Sequence, residues 1–460
     1  MGSMLEEALK TAGPVEAALT PPRGLRDFLP SEQAARQRVM DKLRETFERY
    51  GFLPLETPAL ENWEVLSSKY AGGSEILKET YGLMDQGDRR LGLRYDLTVP
   101  LCRVVAGNPG LAKPFKRYQI APVWRDGPIR VGRYREFIQC DVDTVGAPVG
   151  LADAEILALA SETYSALGLD VILRVNNRKL LWGLLETALV PEDKRADAML
   201  SLDKLEKIGK EGVVKELQEE RNLPLESINA LVGILTELKR AKTEEETFSA
   251  LEQKLAGNAT ALEGLRELRE VFSLVSKFDA KLRESIKFDP LLARGLTYYT
   301  GPVFEAYLKN DVVGRAVGGG GRYDELVGIF AGSSEKVPAV GFSFGLDVLM
   351  DAIRLQKGEG ADSAPSTIKV FIMPIGPEPR DKCLEFAQQL RKAGVNTGMD
   401  LLGRGPSKNL ESASKQKIPY CLLVGKQELE QNKVKLKDMN KGEEKLLSLE
   451  EAIAILTSKA

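Results

Sequence analysis

Basic side chains dominate residues 113–135. This stretch contains one acid, Asp126, and seven basic residues, which are Lys113, Lys116, Arg117, Arg125, Arg130, Arg133 and Arg135. Such a cluster is usually a solvated surface. Several of these arginines, however, fall in a short strand-like segment, and a guanidinium group can hold a carboxylate or a phosphate through two parallel hydrogen bonds. The cluster therefore favours an anion-binding site.

The segment VWRDGPIRVGRYREFIQCDVD, residues 123–143, has the pattern of two strands joined by a loop. We predict a hairpin that directs Arg125 and Arg133 from facing strands into one pocket. Phe137 shares a face with Arg133, because side chains alternate along a strand, and could stack on a base. An ordinary surface hairpin is the alternative.

The chain contains no histidine in 460 residues. This absence excludes a Ser-His-Asp triad, an imidazole general base and a histidine-ligated metal. Chemistry must then rely on arginines, carboxylates, hydroxyls, backbone amides or hard cations. Phosphoryl and nucleotidyl transfer fit that set, because they depend on positioning and charge neutralisation more than on proton transfer.

Three further features could belong to a functional site, but each also has an ordinary structural interpretation. Asp141 and Asp143 share a strand face and could be a solvated pair. The adjacent Tyr298 and Tyr299 could be core aromatics. The run Gly318–Gly321 could be a mobile turn, and it fits neither a phosphate-binding loop nor a dinucleotide fingerprint.

Hydrophobic spacing predicts the elements that position these side chains. Residues 31–50 have helical periodicity. The segments 91–105, 114–125 and 133–146 have the apolar runs and alternation of antiparallel strands. From about 191 to 285 charge rises and leucine recurs at helical intervals, which predicts a helical insertion.

The C-terminal part predicts a separate small α/β unit after a flexible linker at 356–367. A chain of this length is expected to form two or three domains. Residues 369–460 contain 16 basic and 12 acidic residues, although the whole chain has a net charge of −3.

Overall composition, 43% hydrophobic and 28% charged, indicates a globular protein. The apolar runs are of strand length, so we expect no membrane span, and the N-terminus lacks the apolar core of a secretory signal. Four dispersed cysteines with no CxxC pair predict reduced thiols in a cytosolic protein.

Motif 2 of the class II aminoacyl-tRNA synthetases consists of an aromatic residue and an arginine, a loop, and then Arg-x-x-x-Phe. Trp124-Arg125 and Arg133 with Phe137 match this pattern. Residues 36–58 are similar to motif 1, a helix followed by a strand that ends in proline. The chain thus resembles that class of enzymes.

Longer stretches resemble the histidine-specific members. They are LRYDLTVPL (93–101), ARGLTYYTGPVFE (293–305), VGGGGRYDELVG (317–328) and, in the C-terminal unit, DLLGR (400–404). From about Arg23 to its end, the chain resembles the histidyl-tRNA synthetase family. This combination is far more specific than any one of the stretches.

The resemblance implies an α+β fold: an antiparallel-sheet catalytic core with a helical insertion, and a C-terminal α/β anticodon-binding domain. The expected divisions are a tail at 1–22, core parts at 23–190 and 286–355, the insertion at 191–285, the linker at 356–367 and the anticodon-binding domain at 368–460.

The resemblance also implies roles for single residues. Arg125 and Arg294 would be the catalytic pair, on opposite sides of the α-phosphate, and no general base is needed because the attacking carboxylate is already ionised. The residues implied to bind histidine are Asp96, Leu97, Thr98, Arg125, Gln139, Asp143, Arg294, Tyr298 and Tyr299. Those implied to bind ATP are Arg125, Arg133 and Phe137.

The implied activity is ATP-dependent formation of histidyl-adenylate and transfer of histidine to the 3′ end of histidine tRNA. ATP with Mg²⁺ would be the cosubstrate, and no metal ligand is assigned. A cytoplasmic homodimer formed through the motif 1 region is expected, without a membrane partner.

Motif 3, similar to VGFSFGLDVLM at 340–350, departs from the family pattern. Its acid is Asp347, but Val348 takes the place of the arginine that supports the ATP phosphates. We therefore expect weaker ATP binding or a substitute cation, Arg322 or Arg315. Gly127 also replaces the usual motif 2 glutamate.

Two other functions compete with this one. The stronger rival is a synthetase-like regulatory protein that binds histidine without charging tRNA, since such proteins lose nucleotide-site arginines. The other is a different class II specificity, against which the RGLTYYTG stretch argues.

Overall fold

The computed structural model describes residues 20–67, 74–129, 134–202, 204–238, 241–294, 298–310, 313–358 and 366–458. These residues form two compact units. One contains 20–27 and the described part of 39–358, and the other contains 28–38 and 366–458. Of the predicted site residues, Arg133 lies outside the described residues.

The helices and strands up to residue 187 are, in order, α1 (Pro30–Arg49), β1 (Leu53–Pro54), β2 (Leu60–Asn62), α2 (Trp63–Leu66), α3 (Ser74–Glu79), β3 (Gly82–Met84), β4 (Arg90–Leu93), α4 (Thr98–Gly107), β5 (Phe115–Trp124), β6 (Glu136–Val145), α5 (Leu151–Ala166), β7 (Val171–Asn177) and α6 (Arg178–Thr187).

The next elements are helical: α7 (Glu192–Leu202), α8 (Leu205–Glu219), α9 (Leu225–Leu238), α10 (Glu244–Lys254), α11 (Ala259–Phe278) and α12 (Ala280–Ser285). The first unit then ends with β8 (Ile286–Phe288), β9 (Pro302–Leu308), β10 (Gly318–Arg322), α13 (Leu326–Phe330), β11 (Ala339–Gly345) and α14 (Leu346–Lys357).

Eight strands form one sheet in the order β1-β5-β6-β11-β10-β9-β7-β8. The inner strands pair antiparallel, whereas β1 and β8 pair parallel with their neighbours at the two edges. A smaller sheet has the order β2-β4-β3. The predicted α+β class with an antiparallel core sheet is confirmed.

The two faces of the large sheet differ because side chains alternate along each strand. On β11, Phe344 points to the apolar face, where its ring centroid lies 5.7 Å from that of Phe47 and 5.3 Å from that of Tyr164. Ser343 and Gly345 point to the opposite face. That polar face carries the candidate site.

The helical region begins after α6, and α11 is its longest member. Asn258 caps α11 by accepting a hydrogen bond of 2.9 Å from the Ala261 N–H. One side of α11 is buried at three- and four-residue spacing, through Ala261, Gly264, Leu265, Leu268, Val271, Phe272 and Val275. This buried stripe packs against α5 and α6.

The second unit contains, in order, β12 (Val370–Pro374), α15 (Arg380–Lys392), β13 (Thr397–Met399), α16 (Pro406–Lys415), β14 (Tyr420–Val424), α17 (Lys426–Glu430), β15 (Val434–Asp438), β16 (Glu444–Leu447) and α18 (Leu449–Thr457). Its sheet has the order β13-β12-β14-β15-β16, parallel among the first three strands and antiparallel thereafter. The expected α/β character of this unit is confirmed.

No helix within the described ranges is long and apolar enough to cross a membrane. The four cysteines are buried and free, as the sequence predicted.

Candidate active site

Rows of facing residues cross the polar face of the large sheet. The strand register places Gln119 opposite Asp141, Asp141 opposite Ser343, Ser343 opposite Gly319, and Gly319 opposite Glu305. Residues that face each other in a sheet share one side of it. Residues distant in the chain thereby form one polar strip.

A second row runs alongside the first. Arg117 lies opposite Asp143, Asp143 opposite Gly341, and Gly341 opposite Gly321. A Cβ atom on Gly341 would overlap the Asp143 carboxylate. Glycine at this position therefore leaves room for the buried carboxylate.

The glycines of β10 leave room in the same way. A Cβ atom on Gly319 would overlap the Arg294 guanidinium, and one on Gly321 would lie 2.9 Å from the Tyr299 ring. The mobile-turn interpretation of Gly318–Gly321 is wrong, since these residues form an interior strand paired with β9 and β11. The run lets two large side chains pack directly on the backbone.

Together these rows line a cavity of about 300 Å³. The predicted site residues on its wall are Asp96, Thr98, Arg125, Phe137, Gln139, Asp143, Arg294, Tyr298 and Tyr299. Additional lining residues include Asp141, Ser343, Gly345 and Val348. The two arginines that the sequence predicted as a pair thus face one space.

Arg125 follows the last residue of β5. Its Nε donates a hydrogen bond of 3.2 Å to the Tyr95 carbonyl, and its guanidinium lies 4.2 Å from the Tyr95 ring centroid and 5.0 Å from that of Phe137. No carboxylate of the described residues forms an ion pair with it. Its charge is therefore available to an anionic ligand.

Arg294 lines the same cavity and is held by an acidic partner. Its Nη1 donates a hydrogen bond of 2.6 Å to Glu305, whose other carboxylate oxygen accepts one of 2.6 Å from the Tyr307 hydroxyl. A guanidinium has five N–H donors in a fixed plane. Glu305 therefore orients Arg294 and leaves other donors for a ligand.

Three buried carboxyl groups, on Asp96, Asp141 and Asp143, make part of the cavity acidic. Burial raises the pKa of each, to about 7 for Asp141, against the opposing charge of Arg117. One oxygen of Asp96 and one of Asp141 have no hydrogen-bond partner among the described residues. The solvated-pair interpretation is wrong, because Asp141 and Asp143 are each 3% exposed.

Arg117 lies behind the cavity wall and supports Asp143. It is fully buried, with its Nη2 2.8 Å from Asp143 Oδ2. The other Asp143 oxygen accepts a hydrogen bond of 2.5 Å from the Tyr323 hydroxyl. Two groups thus fix the position of Asp143: Arg117 on β5 and Tyr323, the residue after β10.

The tyrosine pair forms the wall beside Asp143. The ring centroids of Tyr298 and Tyr299 are 4.9 Å apart, and Tyr298 lies 6.0 Å from Tyr323. Tyr299 is only 6% exposed and packs with Val303, so it is also a core aromatic. Both tyrosines nevertheless border the cavity.

Gln139 and Leu97 differ in what they contribute. Gln139 donates a hydrogen bond of 3.2 Å to Ser343, and its side-chain oxygen has no partner among the described residues. Leu97 does not line the cavity. Its buried side chain packs with Ala121, and its carbonyl accepts a hydrogen bond of 3.1 Å from Arg117.

The motif 3 acid has a structural partner. Asp347 accepts hydrogen bonds of 2.7 Å from Arg26 and 3.3 Å from the Ile138 N–H, while Val348 lines the cavity with an apolar side chain. The cavity wall therefore lacks a positive charge at position 348, where the family motif has an arginine.

Neither proposed substitute cation faces this cavity. Arg322 is 1% exposed, with Nη2 2.6 Å from Asp153 and Nη1 3.1 Å from Asp324, so its suggested role in ATP binding is wrong. Arg315 lies 3.8 Å from Asp351 and is not a lining residue.

Arg117, Asp141, Ser343 and Glu305 were not among the site residues that the sequence predicted. Alternation from Phe137 along β6 would have included Asp141. The others depend on strand register between segments far apart in the chain, which local spacing does not reveal.

Comparisons with family models and with known proteins all indicate the same family. The family model described as histidyl-tRNA synthetase matches residues 24–349, and the one described as anticodon binding domain matches residues 369–459. Histidine–tRNA ligase 1 of Bacillus cereus is 44% identical over 425 residues, which is 92% of this chain and 96% of that protein. Histidine–tRNA ligase of Aeropyrum pernix is 40% identical over 435 residues, 94% of this chain and 96% of that protein.

A solved structure indicates the same family. The crystal structure of histidyl-tRNA synthetase from Nostoc sp. PCC 7120 has a TM-score of 0.81 at 33% identity, and the match covers 96% of this chain and 100% of that one. The resemblance carried by motif 2, RGLTYYTG and the glycine run is confirmed. This chain belongs to the histidyl-tRNA synthetase family.

Proposed function

We propose that this protein activates L-histidine with ATP and transfers it to the 3′ end of histidine tRNA. The observation that carries the proposal is the convergence of Arg125 and Arg294 on one cavity that also contains buried carboxylates and two tyrosines. Relatives named histidine–tRNA ligase at 44% identity over most of the chain add support.

In the first step, an oxygen of the histidine carboxylate attacks the α-phosphorus of ATP. A carboxylate–phosphate bond forms, and the bond to pyrophosphate breaks. Arg125 and Arg294 stabilise the negative charge that develops on the phosphate oxygens. The attacking carboxylate is already ionised, so a chain without histidine can carry out this step.

Histidine binding would use the acidic side of the cavity. The α-ammonium group would lie against Asp96, Thr98 and Gln139, where Asp96 and Gln139 have unpaired oxygens. The imidazole would lie between Asp143 and the Tyr298–Tyr299 wall. A site made of hydrogen-bonding groups rejects apolar analogues strongly, because its own groups would be left unpaired.

Phe137 and Arg133 would bind ATP, with the adenine stacked on the Phe137 ring. Mg²⁺ would arrive on the ATP phosphates. Among the described residues, no cluster of three or more cysteines, aspartates or glutamates could hold a metal ion. Mg²⁺ in nucleotide sites commonly uses few protein ligands and the substrate phosphates.

The C-terminal unit would bind the tRNA. It carries an excess of basic residues and matches an anticodon-binding model. Binding through Lys and Arg contacts to phosphates weakens as salt rises, because counterions are released. The affinity for histidine tRNA should therefore fall steeply between low and moderate salt.

A homodimer formed through residues 36–58 is part of the proposal. Leu53, which lies in this region, is 65% exposed and would be covered in the dimer. Sedimentation should give a dimer, and Leu53→Glu should shift it towards monomer. A cytoplasmic location is proposed from the four free, buried cysteines.

The regulatory alternative has no specific support. Arg125 and Arg294 both line the cavity, and the anticodon-binding model matches 369–459. The second feature discriminates between the two functions, because a protein that only sensed histidine would need no anticodon-binding unit, whereas Arg125 and Arg294 are also implied to bind histidine.

Histidine-dependent exchange of pyrophosphate into ATP tests the first step, and transfer of labelled histidine to its tRNA tests the second. Exchange should require histidine and should not require tRNA. Binding of histidine without exchange or charging would favour the regulatory protein instead. Exchange that depends on a different amino acid would overturn the histidine assignment.

A further inference from the structure

A second cavity, of about 700 Å³, shares Tyr298 and Tyr299 with the first. Its other walls come from α6, the start of α11, Thr300, the segment from Asp324 through α13, and Lys336. Asp324 is itself paired with Arg322 at 3.1 Å. None of the roles proposed above uses these additional walls. The volume lies in the range of small-ligand sites.

Most charged groups around this second cavity neutralise one another. Lys179 lies 2.9 Å from Glu263, and Lys336 lies 2.9 Å from Glu325. The two glutamates offset the charges of the two lysines, so these four residues add no net positive charge to the cavity. The lysines of this cavity are therefore poor anion sites.

Arg178 differs from these lysines. Within the described parts of the chain, its guanidinium has neither an ion-pair partner within 4 Å nor a hydrogen bond. Its backbone N–H donates to the Gly301 carbonyl at 2.9 Å, which fixes the first turn of α6 at the edge of the cavity. The positive end of the α6 dipole adds to the charge of the side chain there.

The Arg178 side chain is also partly withdrawn from water. Burial lowers the pKa of Arg178, and only the more distant charge of Glu325 opposes this effect. A guanidinium stays protonated under all ordinary conditions, so the cost of its desolvation remains. An oxyanion at the guanidinium would offset that cost.

The remaining lining is suited to the body of an organic molecule. The half-buried side chains of Trp182 and Ile329 border the same space as Arg178. An inorganic anion would leave these apolar groups uncovered. An aromatic or aliphatic body could bury them at the same time as its anionic group met Arg178.

We propose that this cavity binds a small organic oxyanion, a carboxylate or phosphate monoester on an apolar body, through the uncompensated guanidinium of Arg178. The proposal does not depend on the function assigned to the first cavity. A charge-assisted hydrogen bond of this kind should contribute at least about tenfold in affinity.

Calorimetric titration with phenyl phosphate and with benzoate, in the absence of histidine and ATP, tests the site. Wild-type full-length protein should bind at least one of these probes with a dissociation constant of about 1 mM or tighter. Inorganic phosphate should bind more weakly than phenyl phosphate. Arg178→Gln should weaken the better probe at least about tenfold.

Lys336→Gln is the matched control, because it removes one positive charge from the same cavity where that charge is already paired. It should change the affinity less than about threefold. Equal losses of probe affinity in the two variants would mean that the probe responds only to the net charge of the cavity. That result would overturn the proposal. Unchanged binding by Arg178→Gln would also overturn it.

A third variant separates the two cavities. Arg125→Gln should retain binding of the probe. Loss of binding in Arg125→Gln, with retention in Arg178→Gln, would assign the anion to the first cavity and overturn the second site. Misfolding is not expected for Arg178→Gln, since the guanidinium has no partner in the described protein, and an unchanged melting temperature would verify this.

Discussion

The guanidinium of Arg294 occupies the volume that a side chain on Gly319 would fill. Arg294 and Gly319 lie on different elements, and Glu305, directly opposite Gly319 on β9, holds the guanidinium by a hydrogen bond of 2.6 Å. The strand β10 thus contributes space rather than side chains. The Arg294 guanidinium, a proposed catalytic group, can therefore occupy its observed position only because residue 319 has no Cβ atom.

Gly319→Ala should lower histidine-dependent pyrophosphate exchange at least about tenfold. The added methyl group would overlap the Arg294 guanidinium and lie 2.7 Å from the Phe304 carbonyl, and such overpacking costs about 1–3 kcal/mol. Gly110→Ala, in open space, should leave the rate unchanged. A normal rate for Gly319→Ala would show that Arg294 need not occupy its observed position.

Arg294→Lys should reduce the rate of adenylate formation about 10²–10³-fold, the loss typical when one group that stabilises developing charge is removed. Lysine keeps the charge but not the planar set of donors that reaches both Glu305 and a phosphate. Arg269→Lys on α11, where the arginine pairs with Glu245 and Glu252, is the control. Single-turnover measurements would distinguish this loss from slower product release.

Asp141→Asn should stabilise the protein at pH 8 by roughly 2–4 kcal/mol. The pKa of Asp141 is about 7 in the folded protein, above its ordinary value of 3.8, because burial disfavours the charged form. The folded state therefore binds the proton more tightly, and stability decreases as the pH rises from about 4 through 7. Asparagine cannot ionise, so the Asp141→Asn variant lacks this pH-dependent loss of stability.

Thermal unfolding at pH 5 and pH 8 measures the effect. The variant should exceed wild type more at pH 8 than at pH 5. Asp170→Asn, at an exposed aspartate paired with Lys309, should show little change at either pH. A variant that is less stable than wild type at pH 8 would mean that the ion pairing of Asp141 outweighs its desolvation.

Val348→Arg should tighten ATP binding about tenfold if a cation at this position can reach the phosphates. Val348 lines the cavity, and neither Arg322 nor Arg315 does. Val348→Met is the control for side-chain length without charge. An unchanged dissociation constant for ATP would mean that the existing cations already saturate the phosphate contacts.

Local patterns were sufficient for part of this site. Alternation within 123–143 predicted that Asp141 and Asp143 share a strand face, and they do. Alternation could not show that the face is buried. Burial follows from β11, whose Ser343 and Gly341 lie opposite those two aspartates although they are about 200 residues away in the chain.

Two sequence expectations failed for local reasons. Leu97 was grouped with its neighbours Asp96 and Thr98, but α4 begins at Thr98 and the Leu97 side chain turns into the core. Arg322 was named as a possible substitute cation for the ATP phosphates. Side chains alternate on β10, so Arg322 points away from the face on which Gly319 and Gly321 open the cavity.

The cavity wall contains no imidazole, and neither does any other part of the chain. In a proton NMR spectrum of untagged protein loaded with histidine, every imidazole ring signal would therefore belong to the ligand. Because the Phe, Tyr and Trp ring protons and the backbone amides resonate in the same region, isotope-labelled histidine would be needed to follow the ionisation of the bound ring. No imidazole of the protein would then titrate alongside it or compete with it for assignment.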